Sequence, residues 1–187
     1  MKKLIVFFAV AGSLNSIAQT DPIPEGFAAG YIIDNSNEKT EGAIKETFKK
    51  NSIVFTGHTG NKKAYAPENI TEFTIGPDVY ITYLNDFYKV SSTGKKGSLL
   101  QKVTNNKGKL IYNGTEAYPL TTTEGKVGDY YLRINATDKI ALVTKKNFES
   151  VFASFCADCV ALQTSIQGKQ LDYASITKAV EQYNSCN

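Results

Sequence analysis

The sequence predicts an α+β fold: a mostly antiparallel β region, sandwich- or roll-like, closed by a C-terminal two-helix hairpin. Two observations predict it. From Phe27 to about Val143, short β-branched and aromatic runs alternate with clusters of Gly, Asn, Asp and Lys, the spacing of antiparallel strands. After Lys146 the apolar residues recur at three- and four-residue steps instead, the period of an amphipathic helix.

The chain opens with Met1-Lys2-Lys3, an apolar run from Leu4 to Ala11, and a polar stretch ending Ser16-Ile17-Ala18. That order is a secretory signal over residues 1–18, cleaved between Ala18 and Gln19. The run is too short for a spanning helix, which needs roughly 20 apolar residues. No Cys follows it to carry a lipid, and no other stretch is apolar for long enough to span. Export to the periplasm or outside is therefore expected. A β-rich part over 19–146 and a helical hairpin over 147–187, packed as one globular domain, should follow.

After a Pro-containing lead, Asp21-Pro22-Ile23-Pro24, the expected strands are Phe27–Asp34, Thr40–Phe48, Ser52–Thr56, Ile70–Ile75, Val79–Leu84 and Tyr88–Ser92. Leu99–Thr104, Lys109–Tyr112, Glu116–Leu120, Tyr130–Asn135 and Lys139–Thr144 complete the set. Asn113-Gly114 reads as a type I′ hairpin turn, which needs positive φ at both central residues. Gly76-Pro77-Asp78 separates two strands because Pro lacks a ladder donor. The lysine pairs, Lys62-Lys63 and Lys95-Lys96 among them, read as solvated loop tips.

In the first helix Phe148, Phe152, Phe155, Cys159, Leu162 and Ile166 form one stripe, with Asn147 as its cap and Gly168 as its stop. The second runs from about Tyr173 to Tyr183 behind Asp172. Stepping back from Gly168 at about 1.5 Å per residue places Cys186 opposite either Cys156 or Cys159. Cys159 shares the stripe with Phe155 and Leu162, which favours a Cys159–Cys186 disulfide and leaves Cys156 as a buried free thiol. Cys156-Ala157-Asp158-Cys159 also has the CxxC spacing of thiol oxidoreductases. Those motifs use a helix N-terminus to lower the thiol pKa, whereas this pair falls inside the expected helix.

Other chemistry is sparse. The 187 residues carry a formal charge of +3, which falls to +1 once Lys2 and Lys3 are removed, too little for a nucleic-acid binder. His58, the only histidine, stands on a Gly-flanked loop without marked partners. No nucleophile elbow, phosphate loop or paired-His motif occurs, so no catalytic, cofactor-binding or metal residue is assigned and no cofactor is expected. Asp34-Asn35-Ser36-Asn37-Glu38 lacks the central Gly and closing Glu of a calcium loop and reads as a polar turn. Three glycosylation sequons, at Asn69, Asn113 and Asn135, carry no weight beside a bacterial-type signal. Tyr31, Tyr80, Tyr83, Tyr88, Tyr112, Tyr118, Tyr130 and Tyr131 fall in or beside strands. They suit a half-buried sheet, or a sheet face that takes a protein or glycan partner.

Gly30-Tyr31-Ile32-Ile33, Tyr65-Ala66-Pro67-Glu68-Asn69-Ile70, Lys109-Leu110-Ile111-Tyr112, Lys145-Lys146-Asn147-Phe148 and the ending Asp158-Cys159…Tyr183-Asn184-Ser185-Cys186, with the Ala18-Gln19 cleavage region, carry a resemblance. The chain resembles a family of uncharacterised exported proteins of Bacteroidetes-type bacteria. The resemblance implies a β-rich part with a helical, cysteine-stapled end, leaves Cys156 outside the pattern, and implies no activity. The expected function is thus an envelope protein that is a non-enzymatic binding or structural domain. The alternative is a thiol oxidoreductase or redox sensor using Cys156 and Cys159.

Overall fold

The structure, a computed structural model, describes residues 22–57, 59–106, 110–119 and 124–186, with the backbone alone for 110–113 and 117–119. The expected signal region 1–18, its expected cleavage site and His58 lie outside the described residues. The strands are β1 (Ala28–Asp34), β2 (Lys39–Thr47), β3 (Ser52–Thr56), β4 (Lys62–Tyr65), β5 (Ile70–Ile75), β6 (Asp78–Tyr83), β7 (Asp86–Thr93) and β8 (Gly97–Lys102). β9 (Leu110–Asn113), β10 (Glu116–Pro119), β11 (Tyr130–Ile134) and β12 (Lys139–Val143) follow. Ten form one antiparallel sheet in the order β12-β11-β8-β7-β6-β5-β1-β2-β3-β4, and β9 pairs with β10 apart from it.

The fold class is the one the sequence predicts, and every expected strand is present within a few residues of its expected ends. β4 is the addition. Its sequence, Lys62-Lys63-Ala64-Tyr65, is short and polar and lacks the alternation of a half-buried strand. It also corrects the loop-tip reading of Lys62 and Lys63, which lie in an edge strand. The β9–β10 hairpin forms, but the register pairs Asn113 with Glu116. Gly114, at φ 73°, is then the first loop residue, the pattern of a type II′ turn rather than I′.

The sheet curls. Strands lie about 4.8 Å apart, and four steps separate β2 from β7. Yet the ring of Phe48, in a 3-10 turn after β2, lies 6.3 Å from that of Phe87 on β7. Asn51, in the β2–β3 turn, likewise donates through Nδ2 to Asn85 O in the β6–β7 turn, at 3.4 Å. Inside the curl Ile32, Ile44, Ile53, Phe73, Tyr80 and Phe87 form a buried core, with Phe73 and Tyr80 stacked at 4.8 Å.

A second core lies under the helices. Leu99, Leu132, Ile134 and Val143 meet α1 (Phe148–Phe155), α2 (Val160–Gln167) and α3 (Ile176–Ser185). The expected single helix is therefore broken between Phe155 and Val160. Gln163 closes the break: its Nε2 donates to Phe152 O at 2.9 Å and Cys156 O at 3.0 Å, a second hydrogen bond to carbonyls that Cys156 N and Cys159 N already reach. Asn147 does not cap α1 with its side chain, because Oδ1 accepts from Thr144 N at 2.6 Å and Nδ2 donates to Leu142 O. Asp172 caps as expected, Oδ1 accepting from Ser175 N at 3.1 Å ahead of α3.

Candidate functional site

The structure brings the three cysteines together. Cys159 and Cys186 form a disulfide with their Cα atoms 5.8 Å apart. Cys156 is a free thiol with no exposed surface. Both Cys156 and Cys159 belong to the helix-side core, and Cys186 packs against it. The helix break corrects one premise: the CxxC pair sits in a turn, with Cys159 at the start of α2. Cys156 nevertheless gains no acidity there. Burial, and then the Asp158 carboxylate, push its thiol up to about 12, against the weaker pull of Lys96.

Three elements converge on this corner. Lys96, in the β7–β8 turn, donates to Asp158 Oδ2 at 2.9 Å and lies 5.4 Å from the Tyr183 ring centre. That hydrogen bond holds the Asp158 carboxyl below the usual carboxylate range. Burial raises the Tyr183 phenol to about 12. Two residues before Cys186, Asn184 Oδ1 accepts from Lys96 N and Gly97 N at 2.9 Å each, and Nδ2 donates to Gly97 O at 3.0 Å. The end of α3 is thus tied to the sheet by its own hydrogen bonds as well as by the bridge.

A large concavity lies elsewhere. A groove of about 640 Å³ opens over β1 and β2, and Ile23 and Pro24 of the lead segment form part of its wall. Gly30 and Gly42 are direct cross-strand partners. A Cβ on Gly30 would run into Thr74 O, and one on Gly42 into Thr56 O and the Phe55 ring. The adjacent strands β5 and β3 therefore come this close to Gly30 and Gly42 only because both positions are glycine. Tyr31 and Glu41, paired across the strands, supply the polar side with Thr56 and Thr74. Tyr31 donates its hydroxyl to Glu72 Oε1 at 2.6 Å, a bond that raises its pKa to about 12, and Lys39 Nζ sits 4.2 Å from its ring centre. Ile23 is 52% exposed. Among the described residues that line the groove, Glu41 carries the one formal charge, and Lys39 Nζ lies 3.3 Å from its carboxylate.

The tyrosines do not share one platform. Tyr80 lies inside the curl, and Tyr130 packs under the helices against Tyr173. Tyr88 and Tyr131 are buried edge to face at 5.1 Å in a third cluster, which Tyr83 joins. Tyr83 also lines a smaller hollow of about 310 Å³ with Glu72 and Arg133. Tyr112 and Tyr118 lie where only the backbone is described. The residues that sequence reasoning missed are the Gly30–Gly42 pair and the lead segment. The signal available was glycine in the middle of two strand patterns, a mark of close backbone approach. Among the described residues no group of three or more His, Cys, Asp or Glu side chains could hold a metal ion. No helix there is long and apolar enough to cross a membrane.

Fold and groove together define a class: a curled antiparallel sheet, capped by disulfide-stapled helices, that presents an open glycine-floored groove. Beyond the class, no protein-family model, no curated protein and no solved structure matches the chain.

Proposed function

We propose that this is an exported envelope protein that binds a ligand in the groove over Gly30 and Gly42 without transforming it. The observation that carries the reading is the groove itself. Its volume falls in the usual range for small-ligand sites, and its makeup is that of such sites, apolar walls with a few convergent polar groups. Among the described residues its lining holds one carboxylate, Glu41, beside Lys39, so it suits a neutral or cationic ligand with an apolar body. Export is supported by the signal-like start and by a disulfide, which persists in oxidising compartments.

A thermal-shift and calorimetric panel of neutral and cationic amphipathic compounds, with oligosaccharides alongside, tests it. The expected result is a hit that Ile23→Ser and Tyr31→Ala each weaken by about tenfold, about 1.4 kcal/mol, in folded protein. A panel blank on folded protein, or turnover of any member, overturns it. The redox alternative is the weaker reading, because Cys156 is buried with a raised pKa and a nucleophilic thiol needs the opposite.

A further inference from the structure

We propose that Cys156, Cys159 and Cys186 form one exchange site, in which Cys156 can replace Cys186 as the disulfide partner of Cys159. The inference is independent of the groove. It begins with the break between α1 and α2. There the Cys159 N–H donates to Cys156 O at 3.1 Å, closing a four-residue turn. Such a turn holds its first and last Cα atoms within about 7 Å, and disulfides join Cα atoms about 4.4–6.8 Å apart. Cys186 meets the same requirement from the other side, at 5.8 Å. Cys159 thus stands between two partners in one apolar cluster.

The second observation is the independent anchor of α3. The three Asn184 hydrogen bonds to Lys96 and Gly97 hold the helix end without the bridge. A Cβ on Gly94 would run into the Asn184 side chain, so the turn is shaped around it. Cys186 can leave its partner while the helix stays docked.

The exchange balances within the molecule. The Cys156 thiolate attacks Cys159 Sγ, and the Cys156–Cys159 bond forms as the Cys159–Cys186 bond breaks. The electron pair leaves on Cys186 Sγ, which takes up the proton that Cys156 gave up, so neither oxidant nor reductant is consumed. The charged and titratable groups facing Cys156 are Asp158 on its own turn, Lys96 from the β7–β8 turn and Tyr183 from α3. Burial and Asp158 keep the proton on Cys156, so exchange is slow at neutral pH and quickens as the solution becomes alkaline.

The oxidised protein, kept native without added thiol, is incubated with excess iodoacetamide at about pH 7 and about pH 9, then mapped by peptide mass spectrometry. The expected product carries the adduct on Cys186 with Cys156 joined to Cys159. Its rate should rise about tenfold per pH unit, as the thiolate fraction does. An adduct on Cys156 with the original bridge intact, or no adduct, overturns the proposal. Cys186→Ser gives a second reading in an oxidising glutathione buffer. A Cys156–Cys159 bridge is expected in the folded variant, and two alkylatable thiols there would also overturn it.

Discussion

Asp86 and Lys102 are wholly buried, with Lys102 Nζ 3.0 Å from Asp86 Oδ2. The two charges pair directly there, and Lys102 Nζ also donates to Gly125 O at 3.5 Å. The other Asp86 oxygen is served by Asn106 N at 2.7 Å and by the Thr104 hydroxyl at 3.2 Å. Losing either partner strands the other charge away from water, so Asp86→Ala or Lys102→Ala should each cost about 3–5 kcal/mol. Replacing both, as Asp86→Leu with Lys102→Met, should recover most of that loss. Urea unfolding curves of the four proteins check it. At the same scale, the phenols of Tyr31, Tyr80 and Tyr183 stand at about 12, above their ordinary 10.0. A value raised by folding gives stability that is complete below the ordinary value and is lost as pH climbs through the raised one. Thermal stability should therefore fall between pH 10 and 12 as these rings ionise, and a phenolate absorbance titration should show them titrating late. None of this was legible in the sequence, where Asp86 and Lys102 look like any charged residues near strand ends.

At the scale of elements, the Cys159–Cys186 bridge closes a sequence separation of 27 residues. Closure entropy makes that worth about 3.5 kcal/mol, so Cys159→Ser should lower unfolding free energy by about that amount. Asn184→Ala should cost about 1–3 kcal/mol by leaving part-buried backbone groups of Lys96 and Gly97 unpaired. Denaturant titrations in oxidising buffer measure both. The strands other than β4, and the bridge, could be read ahead of the structure because each rests on local pattern, alternation in one case and helical rise with the apolar stripe in the other. The break at Cys156 could not. The apolar stripe runs on through it from Phe155 to Leu162, while the turn is held by Gln163 capping backwards and by Lys96 drawing Asp158 aside. Those are tertiary contacts that no periodicity records.

At the scale of the molecule, curvature decides where a ligand can sit. Side-chain alternation tells which face of a strand is apolar but not how sharply the sheet bends, so the groove was invisible while its strands were not. Two glycines allow the close strand approach at the groove floor. Gly42→Ala should cost about 1–3 kcal/mol, as overpacking does, because its methyl meets Thr56 O and Phe55. Any groove ligand should bind this variant more weakly, which calorimetry on folded protein measures.

Among the described residues the sheet does not close, and β4 ends it on one side. A terminal strand offers unpaired amides and carbonyls to any passing chain, the starting point of fibrils. Here that rim carries Lys62 and Lys63, both exposed. A second molecule docking rim to rim would bring ammonium against ammonium, and the repulsion reaches about 10 Å at moderate salt. Replacing both with threonine should leave the fold intact yet let concentrated solutions seed cross-β assemblies, seen as rising thioflavin fluorescence. Lysines on this short polar strand thus set a charge barrier between the rims of neighbouring copies.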